Sequence, residues 1–91
     1  MKLPDKYSKR LNTINFRKVT SEAATSIDYN PKLKIIEIEY QTGRIYHYLN
    51  MNEKVWSKFL ELANKGNGLG IYINRDFKTM IDENNYDYYE L

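Results

Sequence analysis

The hydrophobic pattern of the chain changes period at Asn50, from two before it to 3.6 after it. Leu33 to Tyr40 alternates, with Ile36, Ile38 and Tyr40 on one side and Ile35, Glu37 and Glu39 on the other. Arg44 to Leu49 does the same, with Tyr46 and Tyr48 opposed to Ile45, His47 and Leu49. Thr42-Gly43 joins the two runs as a tight turn, since glycine adopts positive φ without strain. An earlier run, Ser26 to Tyr29, also alternates, and Asn30-Pro31-Lys32 breaks it. Turns this short join antiparallel neighbours, so a three-stranded meander is predicted.

Past Asn50, Val55, Trp56, Phe59, Leu60 and Ala63 share one face of a three-turn helix. Asn52 suits its N-cap, Glu53 favours the positive end of the helix dipole, and Met51 can staple the entry. Asn64-Lys65-Gly66 ends it. Gly66 to Gly70 reads as a linker, with a second, short helix through Phe77 to Ile81. The expected fold is α+β: a three-stranded antiparallel meander packed by one main helix, plus a short C-terminal helix. Ile27, Tyr29, Ile36, Ile38, Tyr40, Tyr46 and Tyr48 form the predicted core face, under Trp56 and Phe59.

The 91 residues suffice for one modest core. Residues 1–18 are predicted to be a basic arm, 19–81 the domain and 82–91 an acidic, tyrosine-rich tail. The net charge of +2 conceals this polarity. Lys2, Lys6, Lys9, Arg10, Arg17 and Lys18 face only Asp5 in the first twenty residues, whereas five acidic residues outweigh Lys78 beyond residue 75. With no cysteine, neither a disulfide framework nor a thiolate zinc site can form. The opening residues lack the apolar stretch of a signal peptide, and no run is long enough for a membrane span. A cytoplasmic protein is expected.

Taken in order, Val19-x-Ser21, Ile27-x-Tyr29, Ile36-Glu37-Ile38-Glu39-Tyr40 and Gly43-x-x-Tyr46-His47-Tyr48 resemble the KTSC family pattern, whose central mark is a Tyr-x-Tyr pair after a glycine turn. Gly70-Ile71-Tyr72-Ile73-Asn74-Arg75-Asp76-Phe77-Lys78 is similar to the family's Gly-x-Tyr-Phe-Asn-x-x-Ile-Arg element. Asn67-Gly68-Leu69 looks like extra loop, and Phe77-Lys78 replaces Ile-Arg. The resemblance covers residues 19 to 81. The family is named for a domain at the C-terminus of some lysyl-tRNA synthetases and also occurs as stand-alone bacterial proteins. That company implies an RNA-associated role.

No catalytic, metal or cofactor site is expected. His47 is the only histidine and reads as an ordinary polar position between two tyrosines. Glu37 and Glu39 read as a solvated strand face, and the Gly66-x-Gly68-x-Gly70 run lacks the Lys-Ser/Thr of a phosphate loop. The predicted function is a small binding module for RNA or tRNA. Candidate contacts are Arg44, Tyr46, Tyr48, Asn74, Arg75 and Lys78 with Lys9, Arg10, Arg17 and Lys18 of the arm. The alternative is a protein-interaction module or homodimer, because Ile35, Ile45 and Leu49 on the second sheet face have no assigned cover. The arm could cover that face instead.

Overall fold

The computed structural model describes residues 9–91; Lys2 and Lys6 lie outside the described residues. The architecture is α+β, with a five-stranded antiparallel sheet in the order β1-β2-β3-β4-β5. The strands are β1 (Arg17–Lys18), β2 (Ala24–Asn30), β3 (Ile35–Tyr40), β4 (Ile45–Tyr48) and β5 (Tyr88–Glu90). The predicted meander is therefore its centre, and the expected count of three is corrected to five. The two additions are edge strands of two and three residues. Stretches so short cannot display an alternation, so they read as arm and tail.

The hairpin geometry follows from a few side chains. Asn30 Oδ1 accepts from the backbone N–H groups of Lys32 and Leu33 (both 3.0 Å), which turns the chain from β2 into β3. Gly43, at φ +88°, closes the β3–β4 turn. Ile27 pairs with Ile38 and Ile38 with Tyr46, while Tyr29 pairs with Ile36 and Ile36 with Tyr48. Two cross-strand rows thus place apolar residues on one face.

That face is covered by α1 (Glu53–Lys65), which begins where the period changes. Asn52 caps it by accepting from Val55 N–H at 3.0 Å, and Gly66 ends it in the left-handed region at φ 82°. Its buried side chains are Trp56, Phe59 and Leu62. The expected linker is instead helical from Leu69: α2 (Leu69–Ile71) runs through a π-helical stretch, Tyr72–Phe77, into α3 (Lys78–Glu83). Gly70 lets this segment approach the loop before β2, where an added Cβ would lie 3.1 Å from Ser21 Oγ. Leu69, Ile73, Phe77 and Ile81 of the segment join Ile27, Tyr29, Ile36, Ile38 and Tyr48 in one core. No helix among the described residues is long and apolar enough to cross a membrane.

The opposite sheet face is polar and is also covered. Residues 10–15 cross it, with Leu11 N–H donating to Glu37 and Thr13 N–H to Asp28 (both 2.9 Å). Glu37 and His47 are fully buried there, so the expectation of a solvated carboxylate strand face is corrected. The physical reason is the chain's own Arg10, which supplies the counter-charge that burial of Glu37 requires. Ile35 and Leu49 are 3% and 6% exposed, and Ile45 is half-buried. Ile35 and Leu49 are thus covered within the chain, and Ile45 in part.

Candidate functional site

An open cleft of about 480 Å³ lies between the β3–β4 hairpin, β5 and the π-helical stretch. Its principal walls are Tyr40, Arg44, Tyr46, Tyr48, Asn74 and Lys78. Five of these are residues that the sequence nominates for ligand contact. Tyr46 and Tyr48 arrive on one wall because they occupy alternate positions of β4. Asn74 and Lys78 arrive on the other because the π-helical stretch reaches from one to the other, with Lys78 N–H bonded to the Ile73 carbonyl.

The tyrosines are unequally available. Tyr48 is 5% exposed, and its ring meets Phe77 edge-on at 4.9 Å. Its hydroxyl lies 2.6 Å from that of Tyr40. Burial pushes the Tyr48 phenol far above its ordinary value, and the Tyr40 hydroxyl adds to the effect. Both groups therefore remain protonated, as a donor–acceptor pair on the cleft wall. Tyr48 belongs to the core, in keeping with its place on the predicted core face, and lines the cleft from there. Tyr40 and Tyr46 are half-buried, in edge-to-face contact at 5.7 Å, and Tyr88 is 54% exposed. These three rings carry the accessible aromatic surface.

Charge in the cleft is mixed. Lys78 Nζ stands 5.1 Å over the Tyr40 ring. Arg44 Nη1 is 3.8 Å from Glu90 Oε1, and the same carboxylate oxygen accepts from the Tyr46 hydroxyl at 3.3 Å. Glu22 and Asp82 complete the rim. The arrangement offers an aromatic floor, cations for an anionic group and carboxylates for hydrogen-bond donors.

The remaining candidates lie elsewhere. Arg75 is exposed outside the cleft and forms an ion pair with Asp76 at 2.8 Å, which raises the guanidinium pKa and lowers that of the carboxyl. Arg17 donates to Asn64 Oδ1 at the end of α1, and Lys18 lines a small pocket beside that end. Lys9 is exposed, and Arg10 is bound on the far sheet face. The ten nominated residues thus do not form one surface. Tyr40 and Tyr88 went unnominated. Tyr40 could have been found, because it continues the Ile36-Ile38 row.

His47 is more than a polar spacer. Its Nε2 is 2.9 Å from Glu37 Oε1 and its Nδ1 is 2.8 Å from the Tyr89 hydroxyl. An ionised carboxylate only accepts, so Nε2 carries a proton, and in the neutral ring Nδ1 accepts from Tyr89. The position that reads as ordinary polar from the sequence thus holds two specific partners. Tyr–His–Glu is the order of an acid–base relay, but His47 is entirely buried and Glu37 is already shared with Arg10. The chain of bonds clasps β3, β4 and β5 together.

A family model described as KTSC domain matches residues 20–78. The match takes in β2 to β4, α1 and the π-helical stretch, and both edge strands lie outside it. No curated protein matches the chain.

Proposed function

The chain belongs to the KTSC-domain family, and from that premise we propose that it is a non-catalytic module for single-stranded RNA, seating one unstacked base in the tyrosine-walled cleft. The observation that carries this reading is the convergence of Arg44, Tyr46, Tyr48, Asn74 and Lys78 on one cleft of about 480 Å³. Unpaired bases stack on aromatic side chains and use their edges for hydrogen bonds. Tyr40, Tyr46 and Tyr88 provide ring surface, Asn74 an amide, and Lys78 and Arg44 the charge that meets a phosphate. Glu22 and Asp82 accept from exocyclic amino groups and hold the affinity to a moderate level by opposing the phosphates.

The test is an anisotropy titration of a labelled single-stranded RNA at about 50 and 200 mM salt. Tyr46→Ala and Lys78→Ala should each weaken binding about fivefold or more, and Lys78→Ala should also flatten the salt slope by about one. Failure to bind at the lower salt, or wild-type affinity in both variants, would sink the reading.

A further inference from the structure

The segment crossing the far sheet face is held almost entirely by polar contacts. Arg10 Nε and Nη2 donate to Glu37 Oε2 at 3.1 and 2.9 Å, Nη1 to Glu39 Oε1 at 3.2 Å, and Nη2 to Ser26 Oγ at 3.2 Å. Leu11 N–H donates to Glu37 Oε1, and Thr13 binds Asp28 through both its N–H and its hydroxyl. Apolar anchoring is thin by comparison. Ile14 is fully exposed, Phe16 is 37% exposed and Leu11 is half-buried. A segment secured by hydrophobic burial ignores salt and polyanions, whereas one secured by charge-assisted bonds does not.

The acceptors on this face resemble a stretch of nucleic-acid backbone. Glu37 and Glu39 sit two residues apart on one strand, so their carboxylates project from points about 7 Å apart. That is comparable to the step between successive phosphates of an extended strand. A guanidinium forks onto carboxylate and phosphate oxygens with the same geometry. The Phe16 ring lies 5.9 Å from the guanidinium carbon, and the Arg10 side chain remains 32% exposed, so an incoming anion can reach it.

Building on the RNA reading above, we propose that Glu37 and Glu39 act as an internal mimic of phosphate. They hold Arg10, and with it the basic segment, until a polyanion takes the guanidinium from them. The segment then becomes a second contact for RNA, with Lys9 and Arg10 freed together, and the far face is left as a hydrated carboxylate surface. Glu37 tolerates this exchange because ionised carboxylates are better solvated in water than in the interior.

The experiment follows hydrogen exchange at the Leu11 and Thr13 amides, whose acceptors are Glu37 and Asp28. It uses the intact chain, free and with inorganic polyphosphate, against sodium chloride at matched ionic strength. Polyphosphate should speed exchange at both amides about tenfold or more while leaving the α1 amides protected. Glu39→Gln, at the half-exposed rim of the cluster, should raise the basal exchange about threefold with little change in thermal midpoint. Protection that persists under saturating polyphosphate overturns the proposal. The RNA reading is judged separately. RNA binding with both amides still protected refutes the mimic and leaves the cleft standing; release by polyphosphate without RNA binding does the reverse.

Discussion

The ring of Tyr29 stacks on that of Trp56, with centroids 5.4 Å apart and planes 20° from parallel. This contact fixes α1 over β2, and the Tyr29 hydroxyl extends it by donating to the Met51 carbonyl at 2.8 Å. Trp56 is the only tryptophan and is 5% exposed. Trp56→Ala should therefore cost about 3–5 kcal/mol in urea denaturation. Tyr29→Phe, which removes only the hydrogen bond, should cost about 1 kcal/mol. A loss below about 1 kcal/mol for Trp56→Ala would mean that the stack is not the main tie between helix and sheet.

Glu37 makes stability depend on acid. Burial disfavours its charge, but hydrogen bonds from His47, Leu11 N–H and Arg10 outweigh that, and its pKa falls below the usual 4.5. The folded state thus prefers the ionised carboxylate. Its stabilising contribution is complete above the unfolded pKa and disappears as pH falls through the lower, folded value. Thermal midpoints measured from pH ~6 to ~3 should drop more steeply for the wild type than for Glu37→Gln. Parallel curves would assign the acid sensitivity to other carboxylates.

The buried phenols act at the other end of the pH scale. Burial raises the pKa of Tyr29, Tyr40, Tyr48 and Tyr72 above 10.0. The folded state prefers them protonated, so their contribution is intact below the unfolded pKa and declines as pH rises past about 10. Ultraviolet titration of the folded protein should show a group of tyrosines that ionise only on unfolding. Full ionisation with a native circular-dichroism spectrum would contradict the placement of Tyr48.

Gly70 is held by space rather than by φ. An alanine Cβ would meet Ser21 Oγ at 3.1 Å, and that oxygen already accepts from the N–H groups of Ala23 and Ala24. A hydroxyl tied at two points has little room to yield. Gly70→Ala should destabilise by about 1 kcal/mol, because the overpacking exceeds the helix-propensity gain of alanine. A stabilised variant in calorimetry would mean that Ser21 moves aside.

The sheet centre and α1 were legible because each carried enough residues to show its period. The helical run from Leu69 to Phe77 went unread, although it left a pattern. Leu69, Ile73, Phe77 and Ile81, all buried, recur at a strict spacing of four. In a regular α-helix each such step drifts about 40°, so three steps would carry the last residue well off the face. A wider turn takes back much of the drift, and Tyr72–Phe77 supplies one. The cleft was half legible. Arg44, Tyr46, Tyr48, Asn74 and Lys78 were named, but the Tyr48 ring was spent on Phe77. The far face was misread because Glu37 and Arg10 stand 27 residues apart, and no local pattern signals such a bond.

β4 and β5 neighbour each other in the sheet, yet all the helical segments lie between them in the chain. Pairing them closes a long loop, a slow event compared with forming the hairpins of β2 to β4. During synthesis β5 also emerges after every other strand. The outer edge of β4 therefore waits unpaired, with neither Tyr88 beside Tyr48 nor Tyr89 beside His47. An unpaired strand edge is a template for other chains. Docking of β5 is thus also the step that covers the β4 edge and replaces it with a shorter one, and it depends on three residues.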